Sequence, residues 1–424
     1  MITVMDTPDQ YQPLTPETLG GRLASIDAVV ERIGSDPADW VVREVGDGNL
    51  NLVFIVEGPE GTVIVKQALP YVRLVGDSWP LPLYRAFFEN HALVRQAERD
   101  PGSVPEIHYF DETQALIVME FLAPHKILRR KLIDGEKVEG LGGFLGRFCA
   151  RTAFRGSELS MKSPDKKKDV GLFAGNIEIP AITEALVFTD PYHDAEMNHH
   201  SDGLDPVVSS LRSDARLKAK VQRLMMKFAS NTETMVHGDL HSGSIMSTGT
   251  QSRIIDPEFV QYGPMGFDIG MLLANFLMAY FSQPAHREAA SLGDYQEWLL
   301  SVIAETVNTF DEEFDHLWKT ERSGMLYPEA LFEGQGHQSE EACADLLAEI
   351  WVDALGFCGI EMHRRTLSLA HNADFEDIED KEVKAALEAR NLQMGADLIR
   401  NAGTLGSVEE LLRLARQVNK KDIL

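Results

Sequence analysis

Two groups of residues have types and spacing that could do chemistry. The first is His237-Gly238-Asp239-Leu240-His241-Ser242-Gly243-Ser244, a polar loop between the short apolar runs Met235-Val236 and Ile245-Met246. Such a loop can hold one carboxylate, Asp239, firmly enough to orient a substrate hydroxyl or accept its proton. A solvent-exposed turn rich in Gly, Ser and Asp accounts for the same residues about equally well. The second group, Arg253-Ile254-Ile255-Asp256-Pro257-Glu258, places Asp256 17 positions after Asp239. A strand that delivers carboxylates at i and i+2 suits a hard, oxygen-ligated cation such as Mg2+. In isolation Asp-Pro-Glu is an ordinary strand-end turn; following the first loop, it reads as a partner to it.

The surrounding elements must position these groups. Thr15-Pro16-Glu17 reads as an N-cap with proline at the first helical position, opening a helix through Ile33. From Trp40 to Lys66 three β-branched runs alternate with the turns Gly46-Asp47-Gly48-Asn49 and Gly58-Pro59-Glu60-Gly61, which predicts an antiparallel meander. A Pro-rich loop over 69–83 leads to a helix over 84–98, and strands follow near 107–110 and 115–120. Beyond the connector Phe121-Leu122-Ala123-Pro124 the pattern is mostly helical, with helices over 137–154, 206–229, 267–281, 294–310, 340–360 and 381–401. Gly263-Pro264-Met265-Gly266 enters one of them, where Asp268 is placed to cap the helix and accept backbone N–H groups. The fold class is therefore α+β and two-lobed: a β-rich N-terminal lobe over 1–120 with a five-stranded antiparallel sheet, a hinge over 121–125, and a larger helical lobe over 126–424.

Composition narrows the function. The 424 residues carry a formal charge of −26, which argues against a nucleic acid or an anionic membrane surface as the main partner. The 3 cysteines, Cys149, Cys343 and Cys358, form no CxxC pair and are an odd number, so neither a disulfide framework nor a thiolate zinc site is expected. The N-terminus shows no secretory pattern and no window reaches the roughly 20 apolar residues of a membrane span, which together give a cytoplasmic expectation. His193, His199 and His200, near Asp194 and Glu196, lack HExxH spacing and read as a polar loop rather than a zinc site.

Gly46-Asp47-Gly48-Asn49-Leu50-Asn51, the loop from His237 to Met246, Asp256-Pro257-Glu258 and His363-Arg364-Arg365-Thr366 follow one another in an order and spacing that resembles the protein-kinase-like small-molecule kinases. Within that superfamily the chain is similar to the methylthioribose kinase family over nearly its whole length. The departures separate relatives. Aminoglycoside- and choline-kinase-like sequences usually have Asn five positions after the catalytic Asp, where this chain has Ser244, and an Asp-x-x of another kind where it has Asp256-Pro257-Glu258. Glu258 can supply the oxygen that the missing Asn would have given a second metal ion.

The resemblance implies an ATP- and Mg2+-dependent kinase that phosphorylates the anomeric 1-hydroxyl of 5-methylthioribose, a step of methionine salvage, and acts as a homodimer. Asp239 would be the catalytic acid-base residue and also touch the sugar, and Asp256 and Glu258 would hold the metal. Lys66, at the end of Val63-Ile64-Val65-Lys66, would grip the ATP phosphates with Asn49, oriented by Glu89 23 positions on. Alone, Lys66 would be an exposed strand-end lysine. Asn51 could donate to phosphates as Asn49 does. Glu120, Phe121 and Leu122 would offer hinge backbone groups to the adenine, and Pro257 sits between the metal-binding acids. Arg364 and Arg365, on a helix beginning near Ile360, would anchor the sugar or neutralise the transferred phosphoryl group. Neighbouring arginines point about 100° apart on a helix, so one of them could instead pair with an acid. Trp79 would close over the sugar, with a core aromatic as the plain alternative. Other hydroxyl kinases, of aminoglycosides, choline or homoserine, and a non-catalytic nucleotide-binding protein are the competing readings. Retention of Lys66, Asp239 and Asp256 speaks against the last.

Overall fold

The computed structural model describes residues 10–46, 50–72 and 76–423, and the side chains of residues 72 and 76–79 lie outside that description. It divides into two compact units that are not continuous in sequence. The first unites residues up to Pro124 with Asn176–Ile179 and Arg253–Val260; the second takes His125–Gly175, Pro180–Ser252 and the chain from Gln261 onward. Asp256 and Glu258 thus belong to the compact unit of the N-terminal sheet, although they lie far beyond residue 126 in sequence.

In the first unit, strands β1 (Val41–Glu44), β2 (Asn51–Gly58), β3 (Gly61–Ala68), β4 (Tyr71–Val72), β5 (Gly76–Pro80), β6 (Ile107–Asp111) and β7 (Leu116–Glu120) are accompanied by helices α1 (Pro16–Leu23), α2 (Asp27–Ile33) and α3 (Arg85–Arg99). Five of the strands form an antiparallel sheet in the order β1-β2-β3-β7-β6. Side chains alternate across a strand, so Phe54, Val56, Val63, Val65 and Val118 share one face, packed with Leu19, Leu23, Val29 and Ile33 of α1 and α2. The same period of two sends Lys66 and Ala68 to the opposite face, where Ala68 packs with Ala86 of α3. The pleat and the covering helix therefore place a lysine under a helix that carries a carboxylate. Gly58 closes the β2–β3 hairpin against α2 so tightly that a Cβ there would lie 1.9 Å from the Ile33 carbonyl oxygen.

Two expectations need correction here. The single helix over 15–33 is two, because Ile26 turns extended and buries its side chain in the core while Ser25 Oγ bonds back to the Arg22 carbonyl oxygen at 3.0 Å. The loop over 69–83 contains a two-stranded piece, β4 with β5.

The second unit is helical. Helix Gly266–His286 packs against Glu340–Leu367, which in turn packs against Lys381–Asn401. Phe267 is fully buried, 4.7 Å from the Phe228 ring and 5.1 Å from that of Phe357. Removing such an aromatic typically costs about 3–5 kcal/mol. Gly359 lets the last two helices touch backbone to backbone: a Cβ there would meet the Gly395 carbonyl oxygen at 2.5 Å. That contact fixes the last turns of Glu340–Leu367, so Arg364 and Arg365 end a 28-residue helix rather than lie near the start of a new one at Ile360. The helix expected over 206–229 breaks at Asp214, whose side chain caps Ala215–Ser230 through the Leu217 N–H. Helices Leu128–Asp134, Ser163–Phe173, Glu178–Phe188 and Val408–Asn419 escaped the sequence reading. Among the described residues no single helix is long and apolar enough to cross a membrane.

Candidate active site

In the first unit, Lys66 Nζ lies 2.7 Å from Glu89 Oε1 and 3.4 Å from Glu258 Oε1, and it also hydrogen-bonds Asp256 Oδ1. Arg85, one turn before Glu89 on α3, is wholly buried and donates from Nε to Glu258 Oε2 at 3.1 Å. Its other nitrogens reach the carbonyl oxygens of Leu69, Pro82 and Leu50 and Asn51 Oδ1. Asn51 Nδ2 donates to Glu258 Oε1 at 2.7 Å, so this amide is spent inside the protein and not on a phosphate. Asn176 steadies the acid-bearing segment by donating to the carbonyl oxygens of Glu258 and Val260 at 3.0 and 2.9 Å.

Burial opposes the charge on Lys66, but Asp256, Glu258 and Glu89 outweigh it and hold the ammonium above its ordinary value. Burial pushes Glu89 up to about 8 against the pull of Lys66, and it raises Glu258 as well. Three acids thus face two bases in a poorly solvated place, which favours a further cation. Oxygens of Glu89, Asp256 and Glu258 lie within 4.8 Å of one another, an all-oxygen donor set that fits Mg2+. Asp256 is the open member: its side chain is 46% exposed, while that of Glu258 is 4% exposed. Its backbone adopts φ +68°, a left-handed conformation unusual for a residue with a side chain and concentrated at functional sites.

In the second unit, the loop after strand Thr234–Val236 turns at Gly238, φ +87°, where glycine alone is unstrained. Asp268 accepts the N–H groups of His237 and Gly238 at 2.6 and 3.1 Å. It anchors the loop instead of capping its own helix, whose N-cap Met265 makes no side-chain bond. Ser244 Oγ donates to the Asp239 carbonyl oxygen at 3.0 Å and ties the loop's two ends together.

The Asp239 side chain is 26% exposed. Arg365 Nη2 donates to its Oδ1 at 2.9 Å, and His241 Nε2 lies 3.3 Å from its Oδ2. Burial works against ionisation of Asp239, but His241, Arg365 and Arg364 hold the carboxyl well below the usual range. His241 is itself pushed down to about 4 by burial, Asp239 compensating in part while Arg365 and Arg129 add to the downward push, so its ring is neutral at pH 7 and Arg365 carries the charge that matters. The two arginines differ sharply. Arg365 Nε donates to Glu361 Oε1 at 2.5 Å, completing a Glu361–Arg365–Asp239 chain. Among the described residues Arg364 Nε and Nη1 are buried without a hydrogen-bond partner, and Nη1 lies 3.9 Å from Glu361 Oε1. Behind the loop, Arg129 donates to Ser242 Oγ and Asn275 Oδ1 at 3.1 and 3.0 Å and lies 3.5 Å from Asp374.

The structure therefore gathers Lys66, Glu89, Asp256, Pro257 and Glu258 in one unit and Asp239, Arg364 and Arg365 in the other. Asn49 lies outside the described residues, and so does the side chain of Trp79, whose backbone is in β5. Glu120 ends β7 and accepts the Glu106 N–H at 3.2 Å; Phe121 is half-buried and Leu122 buried. His193 contacts the Thr189 carbonyl oxygen, His200 contacts Asp205, and His199 stacks on His371. Sequence reasoning missed Arg85, Glu361, His241 and Arg129. The i, i+4 pairs Arg85/Glu89 and Glu361/Arg365 were the available signal, since such spacing puts opposite charges on one helix face.

The sequence profile of the phosphotransferase enzyme family (APH) matches residues 41–300. A methylthioribose kinase of Escherichia coli O45:K1 is 41% identical over 412 residues, covering 96% of this chain and 98% of the relative. One from Geobacillus sp. (strain WCH70) is 40% identical over 414 residues, covering 97% of each. Methylthioribose kinase 1 of Oryza sativa subsp. japonica is 38% identical over 408 residues, covering 95% of this chain and 94% of the relative.

Proposed function

The chain belongs to the methylthioribose kinase family, inside the wider phosphotransferase family, and from that membership we propose how its residues carry out the ATP-dependent phosphorylation of methylthioribose. The bond from the γ-phosphorus to ADP breaks, a bond to the anomeric 1-hydroxyl oxygen forms, and the hydroxyl proton passes to Asp239. The product, S-methyl-5-thioribose 1-phosphate, places the reaction in methionine salvage. The observation that carries this reading is Asp239 itself: fixed on an anchored loop, kept ionised by Arg365, and still open enough for a hydroxyl to approach.

Lys66 binds the phosphates with Asn49, and Glu89 orients the lysine at 2.7 Å. Asp256 with Glu258 would hold Mg2+, which when bound would supply charge neutralisation for the phosphate oxygens. Backbone groups of Glu120, Phe121 and Leu122 meet the adenine. Arg364, whose guanidinium lacks hydrogen-bond partners at two nitrogens, receives the charge of the transferred group or a sugar hydroxyl, and Trp79 covers the sugar. Arg365 stays with Asp239. Because phosphoryl transfer needs chiefly positioning and neutralisation, these groups suffice in kind. A homodimer in the cytoplasm completes the proposal.

The test is Mg2+-dependent ADP formation with a panel of methylthioribose, glucosamine, choline, homoserine and an aminoglycoside. Turnover specific to methylthioribose is expected. Preference for an amino alcohol, or nucleotide binding without turnover, would overturn the reading.

A further inference from the structure

His241 caps the short turn Ser242–Ser244: its Nδ1 accepts the Gly243 N–H at 2.8 Å. That bond decides the tautomer. A ring nitrogen accepting a backbone N–H carries no proton, so the proton of the neutral imidazole is on Nε2, and Nε2 is the atom 3.3 Å from Asp239 Oδ2. Arg365 already holds Oδ1 from the other side. We infer that His241 is a positioning residue for phosphoryl transfer, its Nε2–H holding the second oxygen of Asp239 so that the carboxylate is aimed and ionised at once. The inference rests on the kinase reading above.

The geometry also excludes the more obvious role for a histidine beside a reacting hydroxyl. To act as a base, the ring would need a free nitrogen. Nδ1 is committed to Gly243 and Nε2 already carries the proton. Arg365 from helix Glu340–Leu367 and Arg129 from helix Leu128–Asp134 oppose a second proton on the ring; Arg364 stands next to Arg365, and the acid Glu361 on the same helix is paired with Arg365. Asp374 lies beyond Arg129, and Asp268 anchors the far side of the loop. Asp239 is the acid that pulls the other way, and burial prevails over it. The transferred proton thus stays on Asp239.

Capping alone would give His241 a purely structural job, and two substitutions separate the roles. In His241→Asn the side-chain oxygen still accepts the Gly243 N–H, but the amide is too short to reach Asp239. In His241→Gln the amide N–H stands near the Nε2 position. We expect the Asn variant to keep its KM for ATP, lose about tenfold or more in kcat, and raise the acid limb of kcat/KM for methylthioribose by about one pH unit, the order expected for one lost hydrogen bond to an ionised acceptor. The Gln variant should recover most of both. An unmoved acid limb in the Asn variant, or recovery by Asn as complete as by Gln, would overturn the inference; should the Gln variant not fold, the acid limb of the Asn variant decides alone. Absence of methylthioribose turnover in the unmodified protein would instead sink the kinase reading, so the two failures are distinct.

Discussion

At the scale of single residues, the two arginines that the sequence left undivided differ in their contacts: Arg365 holds Asp239, whereas Nε and Nη1 of Arg364 have no hydrogen-bond partner among the described residues. Asp239→Asn should still bind ATP, measured by calorimetry, while turnover falls about 10²–10⁴-fold, the usual worth of a positioned general base. Near-normal turnover would remove Asp239 from that role. Arg365 and Arg364 should respond differently to the same change. Arg365 helps keep the Asp239 carboxyl depressed, so this carboxylate stays ionised as pH falls below the ordinary carboxylate range near 3.9. Arg365→Gln should therefore move the acid limb of kcat/KM upward, whereas Arg364→Gln should lower turnover and leave the limb in place. Identical pH profiles for the two variants would contradict the division. Their types and positions were legible in Arg364-Arg365, but the division was not. It depends on Glu361 one turn earlier and on a contact between residues 126 positions apart.

At the scale of elements, the alternation of β3 and the covering helix α3 were readable, because one strand face is apolar and the other carries Lys66; the strand runs on to Ala68, so the lysine lies inside it and not at its end as expected. Helix ends were less so. Ile26 and Asp214 break apparently continuous helices for reasons of tertiary packing and capping that periodicity does not record. The joint between helices Glu340–Leu367 and Lys381–Asn401 shows what periodicity also hides. There His363 Nε2 meets the Leu392 carbonyl oxygen at 2.9 Å and Nδ1 meets the Tyr192 hydroxyl at 3.1 Å, an arrangement that suits a neutral ring. Burial pushes this ring down to about 4. An unfolded histidine titrates near 6.5, so the unfolded state binds more protons below that pH and the ring's contribution to stability is lost as pH falls toward 4. Between pH 7 and pH 5 the loss from this one group should be up to about 2 kcal/mol. Denaturant titrations of His363→Gln should show a flatter pH dependence than the unmodified protein; parallel curves would show that the ring does not titrate between the two states.

At the scale of the whole molecule, composition and the order of motifs pointed to two units and a kinase-like α+β fold. They did not reveal that residues 253–260 pack with the N-terminal sheet, since nothing local marks a strand end as belonging to elements 173 to 207 positions earlier. The interleaving has a consequence for dissection. A polypeptide cut after Pro124 retains every strand of the five-stranded sheet and α3, yet it gives up Asp256, Glu258 and Asn176. Lys66 is then left with Glu89 alone, and Arg85 loses its bond to Glu258. Stranding buried cations costs about 3–5 kcal/mol for each broken pair, comparable to the stability of a small domain. Such a fragment should give the poorly dispersed amide NMR spectrum of an unfolded chain, and a second peptide spanning 253–260 should be too short to restore it. The unit that holds the N-terminal sheet is therefore not a detachable cassette: the counter-ions of Lys66 and Arg85 arrive from a segment encoded far downstream.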